Sequence, residues 1–206
     1  GRWHGRALGP GDYVLSADEK TSIQARHRCH ASTPVAAGRP LRVEHEYERG
    51  GAWAYLAAWD VHRARVFGRC EAHSGIAAFD RLVEDVMIQE PYRSARRVFW
   101  ITDNGSAHRG ARGDARLQAR WPQIIPVHTP RHASWLNQIE VYFSIVQRKV
   151  LTPNDFASLA ALEHYLLAFQ ARYQTTAMPF RWTFTRADLQ RLLARLADTA
   201  TEQPAA

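Results

Sequence analysis

Short apolar runs separated by polar links occupy the first third of the chain and predict three strands. The runs are Tyr13–Ala17, Trp53–Trp59 and Ala64–Arg69, and the last two flank the polar residues 60–63. Two apolar runs joined by a short polar link are typical of a β-hairpin. We therefore predict that the chain begins with a three-stranded antiparallel unit.

After this unit the pattern alternates between helical and strand periodicity. The predicted elements are, in order, a helix at residues 75–89, a strand at Val98–Thr102, a helix at residues 113–120, a strand at residues 124–128 and a helix that begins after Ser134. The continuous apolar run before Thr102 is typical of a strand that is buried on both faces. Strands followed by alternating helices and strands predict an α/β fold, with a mixed five-stranded sheet flanked by helices.

Only helical periodicity remains beyond Val150. We predict one helix that opens at Pro153 and a last helix that begins at Thr185, where Asp188 completes a capping-box-like pattern. Both should pack on the domain as a helical extension, with dimer contact as the alternative. The predicted segments are an N-terminal remnant or linker at residues 1–12, the α/β domain at residues 13–151, the C-terminal helices at residues 152–198 and a disordered tail at residues 199–206.

Composition narrows the class of protein. A length of 206 residues suits one domain, and a hydrophobic content of 46% supplies a core. No apolar run approaches the length that a membrane-spanning helix needs, so we expect no membrane partner. The net charge is +7, which favours a polyanionic partner. Arginine makes up 25 of the 27 basic residues, and its planar guanidinium group suits contact with phosphate.

Two aspartates follow predicted strands. Asp103 comes directly after the Val98–Thr102 run and precedes Asn104-Gly105, a strong turn signal. Asp18 follows the run Tyr13–Ala17. Either aspartate alone is typical of a polar strand terminus. Ligands of open α/β sheets bind beyond the carboxyl ends of strands, however, and these two strands can be central neighbours. We therefore expect Asp18 and Asp103 to lie together.

Glu140 lies in the last predicted helix of the α/β domain. It is the only acidic residue between Ala115 and Asn154. Asn137 and Ser144 lie along the same line of that helix, beside its apolar stripe. A lone carboxylate at the edge of a buried face, in basic surroundings, is a candidate metal ligand. A solvated helix glutamate is the alternative.

Three segments resemble the catalytic blocks of DDE transposases, most closely those of the mariner superfamily and its bacterial insertion-sequence branch. They are Leu15–Gln24, Ile101–Gly105 and Pro130–Glu140. Between Asp103 and Glu140 lie 36 residues, a spacing typical of that group. Gln138 stands where the family's third block commonly has proline, which leaves Asn137 and Glu140 in register. The resemblance extends from about Tyr13 to Asp155.

This resemblance implies a ribonuclease-H-like fold and a two-metal-ion active site. The implied catalytic and metal-binding residues are Asp18, Asp103 and Glu140, with Asp18 bridging two Mg²⁺ ions for which Mn²⁺ can substitute. The implied reaction is metal-dependent DNA strand cleavage and 3′-end strand transfer during transposition of an insertion sequence. The implied partners are the transposon ends and target DNA, with a homodimer as a further expectation. The expected location is the bacterial cytoplasm, in association with the nucleoid.

Six further residues are predicted to support the site or to contact DNA. They are Asn104, Arg131, His132, Trp135, Asn137 and Lys149. Asn137 lies one turn before Glu140 and could orient it or contact a phosphate. Trp135 could anchor the start of the helix or stack on an unpaired base. For His132, and for His128 before it, a structural role is the alternative to an approach to DNA.

Two other functions remain open from the sequence. A stand-alone metal-dependent nuclease of the same fold differs only in lacking strand transfer, and an inactive or truncated remnant would bind DNA or protein only. All three acidic positions are present, which argues against decay. Residues 1–12 are too few for a DNA-binding domain, which in this family lies upstream. We therefore expect sequence recognition to reside outside these 206 residues.

The two cysteines give a separate alternative. Cys29 is close to His27 and His30, and Cys70 is close to His73, so that a zinc site could assemble. The spacing matches no familiar zinc module, and ordinary packing or surface roles are the better interpretation. Two cysteines also form no disulfide framework, which fits a reducing compartment.

Overall fold

A computed structural model describes residues 1–105, 110–130 and 133–201 and shows seven strands and five helices in these ranges. The strands are β1 (Arg2–Trp3), β2 (Arg6–Ala7), β3 (Asp12–Arg28), β4 (Tyr47–Asp60), β5 (Arg65–Glu71), β6 (Arg97–Thr102) and β7 (Ile124–His128). The helices are α1 (Ile76–Met87), α2 (Gly110–Arg120), α3 (Ile139–Lys149), α4 (Leu159–Gln174) and α5 (Arg186–Thr201). A 3₁₀ turn at Ser134–Leu136 precedes α3.

Five strands form one mixed sheet with the order β5-β4-β3-β6-β7. Strands β3, β4 and β5 pair in antiparallel fashion, whereas β6 and β7 run parallel to β3. The predicted antiparallel unit, the buried strand before Asp103 and the strand at residues 124–128 are all present. Because β3 is central, it has β4 on one side and β6 on the other, which brings the first and fourth sheet strands together as expected.

Helices cover both faces of the sheet and give the fold two hydrophobic cores. On one face, Leu15 and Ala17 of β3 pack with Phe79 and Leu82 of α1. On the other face, residues of β4 and β5 pack with residues of α3 and α4. Alternate residues of a strand point to opposite faces, so neighbouring residues of β3 belong to different cores. Ser16 and Asp18 therefore face the α3 side.

The first strand is longer than the predicted run Tyr13–Ala17. Pairing between β3 and β6 ends at Ser16, but pairing between β3 and β4 continues to Arg28. The hairpin of β3 and β4 therefore extends beyond the five-stranded sheet. As a result Asp18 lies within a strand, opposite Ala57, and not at a strand end as predicted.

The helix predicted to open at Pro153 begins later, at Leu159, with Ser158 as its N-cap. The side-chain amide of Asn154 donates to the carbonyl oxygen of Gln24 at 2.7 Å, and the backbone N–H of Phe156 donates to that of Arg26 at 2.7 Å. These residues thus bond to the free edge of β3. Side chains such as asparagine compete with helical hydrogen bonding in this way, so the first turn does not form here.

Among the described residues, secondary structure extends further toward both ends of the chain than the sequence predicted. Strands β1 and β2 form a small hairpin, and the ring of Trp3 lies 5.1 Å from that of Phe99. Helix α5 begins with the predicted capping box of Thr185 and Asp188, and it continues through Thr201, because no glycine or proline interrupts it. Residues 202–206 of the predicted tail lie outside the described residues. Among the described residues, no helix is long and apolar enough to span a membrane.

Candidate active site

The three predicted carboxylates come from three separate elements at one end of the sheet. Asp18 lies in the central strand β3, Asp103 directly follows β6, and Glu140 is the second residue of α3. Asp18 is buried, with 6% of its surface exposed. Asp103 is half-buried and Glu140 is exposed. The site is therefore deepest at Asp18 and open at Glu140.

A buried polar contact joins the strand of Asp18 to the helix of Glu140. The hydroxyl group of Ser16 donates to the side-chain carbonyl oxygen of Asn137 and accepts from the backbone N–H of Ile139 at 2.8 Å. The side-chain amide of Asn137 donates to the carbonyl oxygen of Ala17 at 2.8 Å, and it lies 3.4 Å from a carboxylate oxygen of Asp18. Ser16 and Asn137 are both fully buried. We call this set of contacts the Ser16–Asn137 clamp.

Burial and nearby charge act together on Asp18. Burial raises the pKa of Asp18 to about 7, and the negative charges of Asp103, Glu19 and Glu140 contribute in the same direction. A hydrogen bond from the backbone N–H of Glu19 at 2.8 Å opposes the shift. Burial is the largest cause of the shift, and the repulsion between like charges adds to it. Asp103 and Glu140 are thus electrostatic neighbours of Asp18.

The same electrostatic coupling appears at Glu140. Partial desolvation raises the pKa of Glu140, Asp103 adds to the increase, and the positive charge of Lys20 opposes it. Among the described residues, however, no three Asp, Glu, His or Cys side chains lie close enough to hold a metal ion as they stand. This finding applies to the three carboxylates and to the cysteine–histidine alternative of Cys29 and Cys70. The charges of Asp103 and Glu140 thus affect the pKa of Asp18, but the three carboxylates do not surround a common point at which a metal ion could bind.

The carboxylates have the chemistry that a hard cation requires. Mg²⁺ and Mn²⁺ bind oxygen ligands, usually one or two carboxylates together with water. A backbone N–H of Gly105 donates to Asp103 at 2.7 Å, which orients this carboxylate at the end of β6. The negative charges around Asp18 repel one another, and a bound divalent cation would offset this repulsion. The donor set therefore fits a divalent metal ion.

The structure places the predicted supporting residues in different surroundings. The side-chain amide of Asn104 donates to the carbonyl oxygen of Thr129 at 2.8 Å, so it ties two loops together. Trp135 is 42% exposed, and its ring meets that of Phe184 edge-on at 4.8 Å. Lys149 is exposed at the end of α3, nine residues from Glu140 and about 14 Å along the helix axis. Arg131 and His132 lie outside the described residues.

Two residues of the site were missed by the sequence reasoning. Ser16 was counted as part of an apolar run, although a serine two positions before Asp18 shares its face of the strand. Lys20 was not considered, although it is one of only two lysines in the chain. Its position two residues after Asp18 was the available signal. His128 adds a structural contact, because its imidazole ring lies 2.9 Å from a carboxylate oxygen of Asp114 in α2.

The mixed five-stranded sheet with helices on both faces is a ribonuclease-H-like fold, and comparison with solved structures agrees. The Mos1 mariner paired end complex with Mn matches with a TM-score of 0.54 and 17% identity over 77% of this chain and 48% of that chain. A pre-cleavage Mos1 transpososome matches with a TM-score of 0.56 and 14% identity over 77% of this chain and 48% of that chain. The chain thus spans about half the length of these structures. The likeness establishes the fold and confirms its prediction.

The sequence profile of the DDE superfamily endonuclease family matches residues 13–163. The chain therefore belongs to that family, as its three catalytic blocks predicted. No curated protein matches the chain in sequence. Assignment to the bacterial insertion-sequence branch stays a prediction.

The first prediction concerns the stability of the metal-free protein. The folded state raises the pKa of Asp18 from 3.8 to about 7, so it binds this proton more tightly than the unfolded state does. The stabilising contribution is complete below the unfolded value and is lost as pH rises through about 7. Relative to Asp18→Asn, the parent should lose a few kcal/mol of unfolding free energy between pH 4 and 8, since each pKa unit corresponds to about 1.4 kcal/mol.

Denaturant unfolding in a chelator, from pH 4 to 8, measures this difference. Asp12→Asn is the matched control, because two arginines lower the pKa of Asp12, which lies in the same strand. Its difference from the parent should be nearly constant above pH 5. A constant difference for Asp18→Asn as well would contradict the electrostatic description of the site.

The second prediction concerns the Ser16–Asn137 clamp. Ser16→Ala leaves the side-chain oxygen of Asn137 and the N–H of Ile139 without their partner, which should cost about 1–3 kcal/mol for each buried group. Removal of Asn137 should then cost less in the Ser16→Ala background than in the parent. We expect a coupling energy above about 1 kcal/mol in the double-mutant cycle.

Ser158→Ala supplies the control for this cycle. Ser158 caps α4, where its hydroxyl oxygen accepts from the N–H of Ala161 at 3.1 Å. It shares no partner with Ser16, so the two losses should add within about 0.5 kcal/mol. Additive losses for Ser16 and Asn137 would show that the clamp does not act as a unit.

Proposed function

We propose that this chain is the catalytic domain of a mariner-type DDE transposase, which cuts DNA strands and joins their 3′ ends to target DNA. The observation that carries the proposal is the placement of Asp18, Asp103 and Glu140 in β3, directly after the neighbouring strand β6 and in the first turn of α3. Membership of the DDE superfamily endonuclease family supports it. So does the likeness in fold to the Mos1 Strand Transfer Complex, which has a TM-score of 0.54, 17% identity and coverage of 77% of this chain and 47% of that chain.

The proposed metal ligands are these three carboxylates. Asp18 would bridge two Mg²⁺ or Mn²⁺ ions, while Asp103 and Glu140 would each complete the ligands of one ion. Bound metal would supply charge neutralisation at phosphorus, a reactive oxygen nucleophile and stabilisation of the leaving oxygen. The buried position of Asp18 and the exposed position of Glu140 would leave the substrate side of the site open.

The chain's own residues would act by holding these groups in place. The Ser16–Asn137 clamp would fix the start of α3 against β3 and thereby set the distance from Glu140 to Asp18. In the cleavage step, a water oxygen forms a bond to phosphorus and the bond to the 3′ oxygen breaks, which leaves a free 3′-hydroxyl group. In the joining step, that hydroxyl group attacks a phosphorus atom of target DNA, and the 3′ oxygen of the target strand departs.

The proposed partners are DNA and a second copy of the chain. A net charge of +7 suits DNA, and the exposed ring of Trp135 offers a surface on which an unpaired base could stack. We place Asn104, Arg131, His132 and Lys149 among the further candidates for support of the site or for DNA contact. A homodimer acting on two transposon ends, in a bacterial nucleoid, completes the proposal.

The third prediction tests metal binding without catalysis. A ligand that binds only the native state stabilises it by about 2.7 kcal/mol at a concentration of 100 Kd. The melting temperature of the parent should therefore rise with Mn²⁺, and it should rise much less in Asp103→Asn. Asp85→Asn is the control, since it removes a carboxylate of α1 that pairs with Arg69. Equal shifts in the parent and Asp103→Asn would place the metal elsewhere.

The fourth prediction tests the reaction. With Mn²⁺, the parent should nick supercoiled DNA and should join a 3′-hydroxyl oligonucleotide to a target duplex. Glu140→Gln, which keeps the shape of the side chain, should abolish both reactions, because an amide is a poor ligand for a divalent cation. Gel electrophoresis of labelled strands measures both products.

The outcome of this assay separates the proposal from its rivals. Nicking without joining would indicate a stand-alone nuclease of the same fold. Neither product in a parent protein that does bind Mn²⁺ would indicate an inactive remnant. Glu140→Gln with unchanged activity would remove Glu140 from the site altogether.

A further inference from the structure

A groove lies along β3 beyond Asp18, between that strand and the end of α3. Its volume is about 210 Å³. Polar side chains from both walls line it, among them Lys20, Thr21, Ser22, Gln24, Arg26 and Gln147. Among the described residues that line the groove, none is acidic. The groove thus offers two cationic groups, hydroxyl groups and amides, and this set suits an anion.

A β-bulge opens the strand at this groove. The register between β3 and β4 shifts between Lys20 and Ile23, so that Thr21 and Ser22 have no partner residue in β4. Ser22 adopts a φ of 57°, in the left-handed region that residues other than glycine rarely occupy. Bulges recur beside active sites, where they redirect side chains, and such backbone strain collects at ligand sites. Both residues are exposed at the groove.

Lys20 connects the groove to the carboxylates. It follows Asp18 by two residues in β3, so both side chains belong to the same face of the strand, and it lines the groove. Yet, among the described residues, Lys20 forms no ion pair with a carboxylate. A lysine that served only to neutralise Glu140 would gain most by direct contact. Its ammonium group retains the capacity to bind a second anion.

Helix α3 forms the opposite wall. Glu140, Ser144 and Gln147 follow one another at steps of four and three residues, so they lie along one line of the helix. Gln147 is seven residues beyond Glu140, about 10 Å along the helix axis. This distance equals about three nucleotide steps at the rise of roughly 3.4 Å in one strand of duplex DNA. A strand held at the carboxylates could therefore reach the groove.

We propose that this groove binds a backbone phosphate of the DNA strand, near the phosphodiester held at the carboxylates. Lys20 and Arg26 supply positive charge, and the hydroxyl groups of Thr21 and Ser22 and the amide of Gln147 supply hydrogen-bond donors. The site has no base-reading element among these groups, so it positions the strand and is indifferent to sequence. This inference rests on the proposed function and assigns a substrate subsite to it.

Equilibrium binding to a duplex of arbitrary sequence tests the groove. The measurement is made with Ca²⁺, a hard cation that suits carboxylates, and gels confirm that the duplex stays intact. Lys20→Gln should weaken binding about five- to ten-fold at low salt and reduce the slope of log affinity against log salt by about one. Arg6→Gln is the control for loss of one charge. Arg6 is exposed in β2, away from the groove, and its loss should change affinity less than two-fold.

Changes at Gln147 separate a phosphate site from an indirect effect of Lys20 on Glu140. Gln147 is exposed, so its substitution should leave folding intact. Gln147→Glu should weaken binding by a factor similar to that of Lys20→Gln. Gln147→Arg should strengthen it, and should restore most of the binding lost in Lys20→Gln. The same substitutions at Gln190, exposed on α5, control for net charge and should have little effect.

Two results would overturn the inference, and they differ in what else they affect. If the groove variants bind like the Arg6 and Gln190 controls while the parent binds and nicks DNA, the groove holds no phosphate and the proposed function stands. If the parent neither binds nor nicks DNA, both proposals are wrong. Weakening in Lys20→Gln without any response at Gln147 would also reject the groove, because it would confine the effect to Glu140.

Discussion

The site depends first on the contact between the hydroxyl group of Ser16 and the side chain of Asn137, because it is a buried polar contact between the strand of Asp18 and the start of the helix of Glu140. β3 is fixed by the sheet, whereas α3 packs on it through apolar side chains that tolerate some sliding. Buried hydrogen bonds are less tolerant, since a displaced donor or acceptor stays unsatisfied at a cost of about 1–3 kcal/mol. The hydrogen bonds of the clamp thus fix the start of α3 relative to β3, and with it the position of Glu140.

The clamp holds together carboxylates whose negative charges repel one another. Asp18 is buried beside other negative charges, and its pKa rises to about 7 as a result. Like-charge repulsion alone would favour a larger distance between these carboxylates. Two hydrophobic cores and the central position of β3 provide the stability that holds Asp18 in place. Under the proposed function, a divalent metal ion would attract each of the carboxylates. The cluster of negative charge that destabilises the metal-free protein would therefore favour metal binding.

Local patterns in the sequence predicted the elements but not every position that matters. The run before Asp103 was correctly predicted, since a buried strand is continuous and apolar. The run at residues 124–128 also forms a strand, at the edge of the sheet. Asp18 was predicted at a strand end, because β3 continues beyond its last partner residue in β6 through polar residues that carry no apolar signal. The start of α4 was misplaced because Asn154 bonds to β3, 130 residues away. The clamp joins residues 121 apart, and no local period reports such a partner.

The family motif and the structure explain the same residues at different levels. The motif relates Asn137 to Glu140 by spacing, and the structure gives that spacing a cause: Asn137 must reach β3 from the turn that starts α3, so that Glu140 follows in the first helical turn. Proline, common in the family at position 138, fits the same requirement, because it suits the start of a helix and needs no N–H partner. Gln138 can replace it because the clamp uses the side chain of Asn137 and the N–H of Ile139, and neither involves residue 138. In this chain the geometry of the clamp therefore explains the positions of Asn137 and Ile139 and places no demand on the side chain of residue 138.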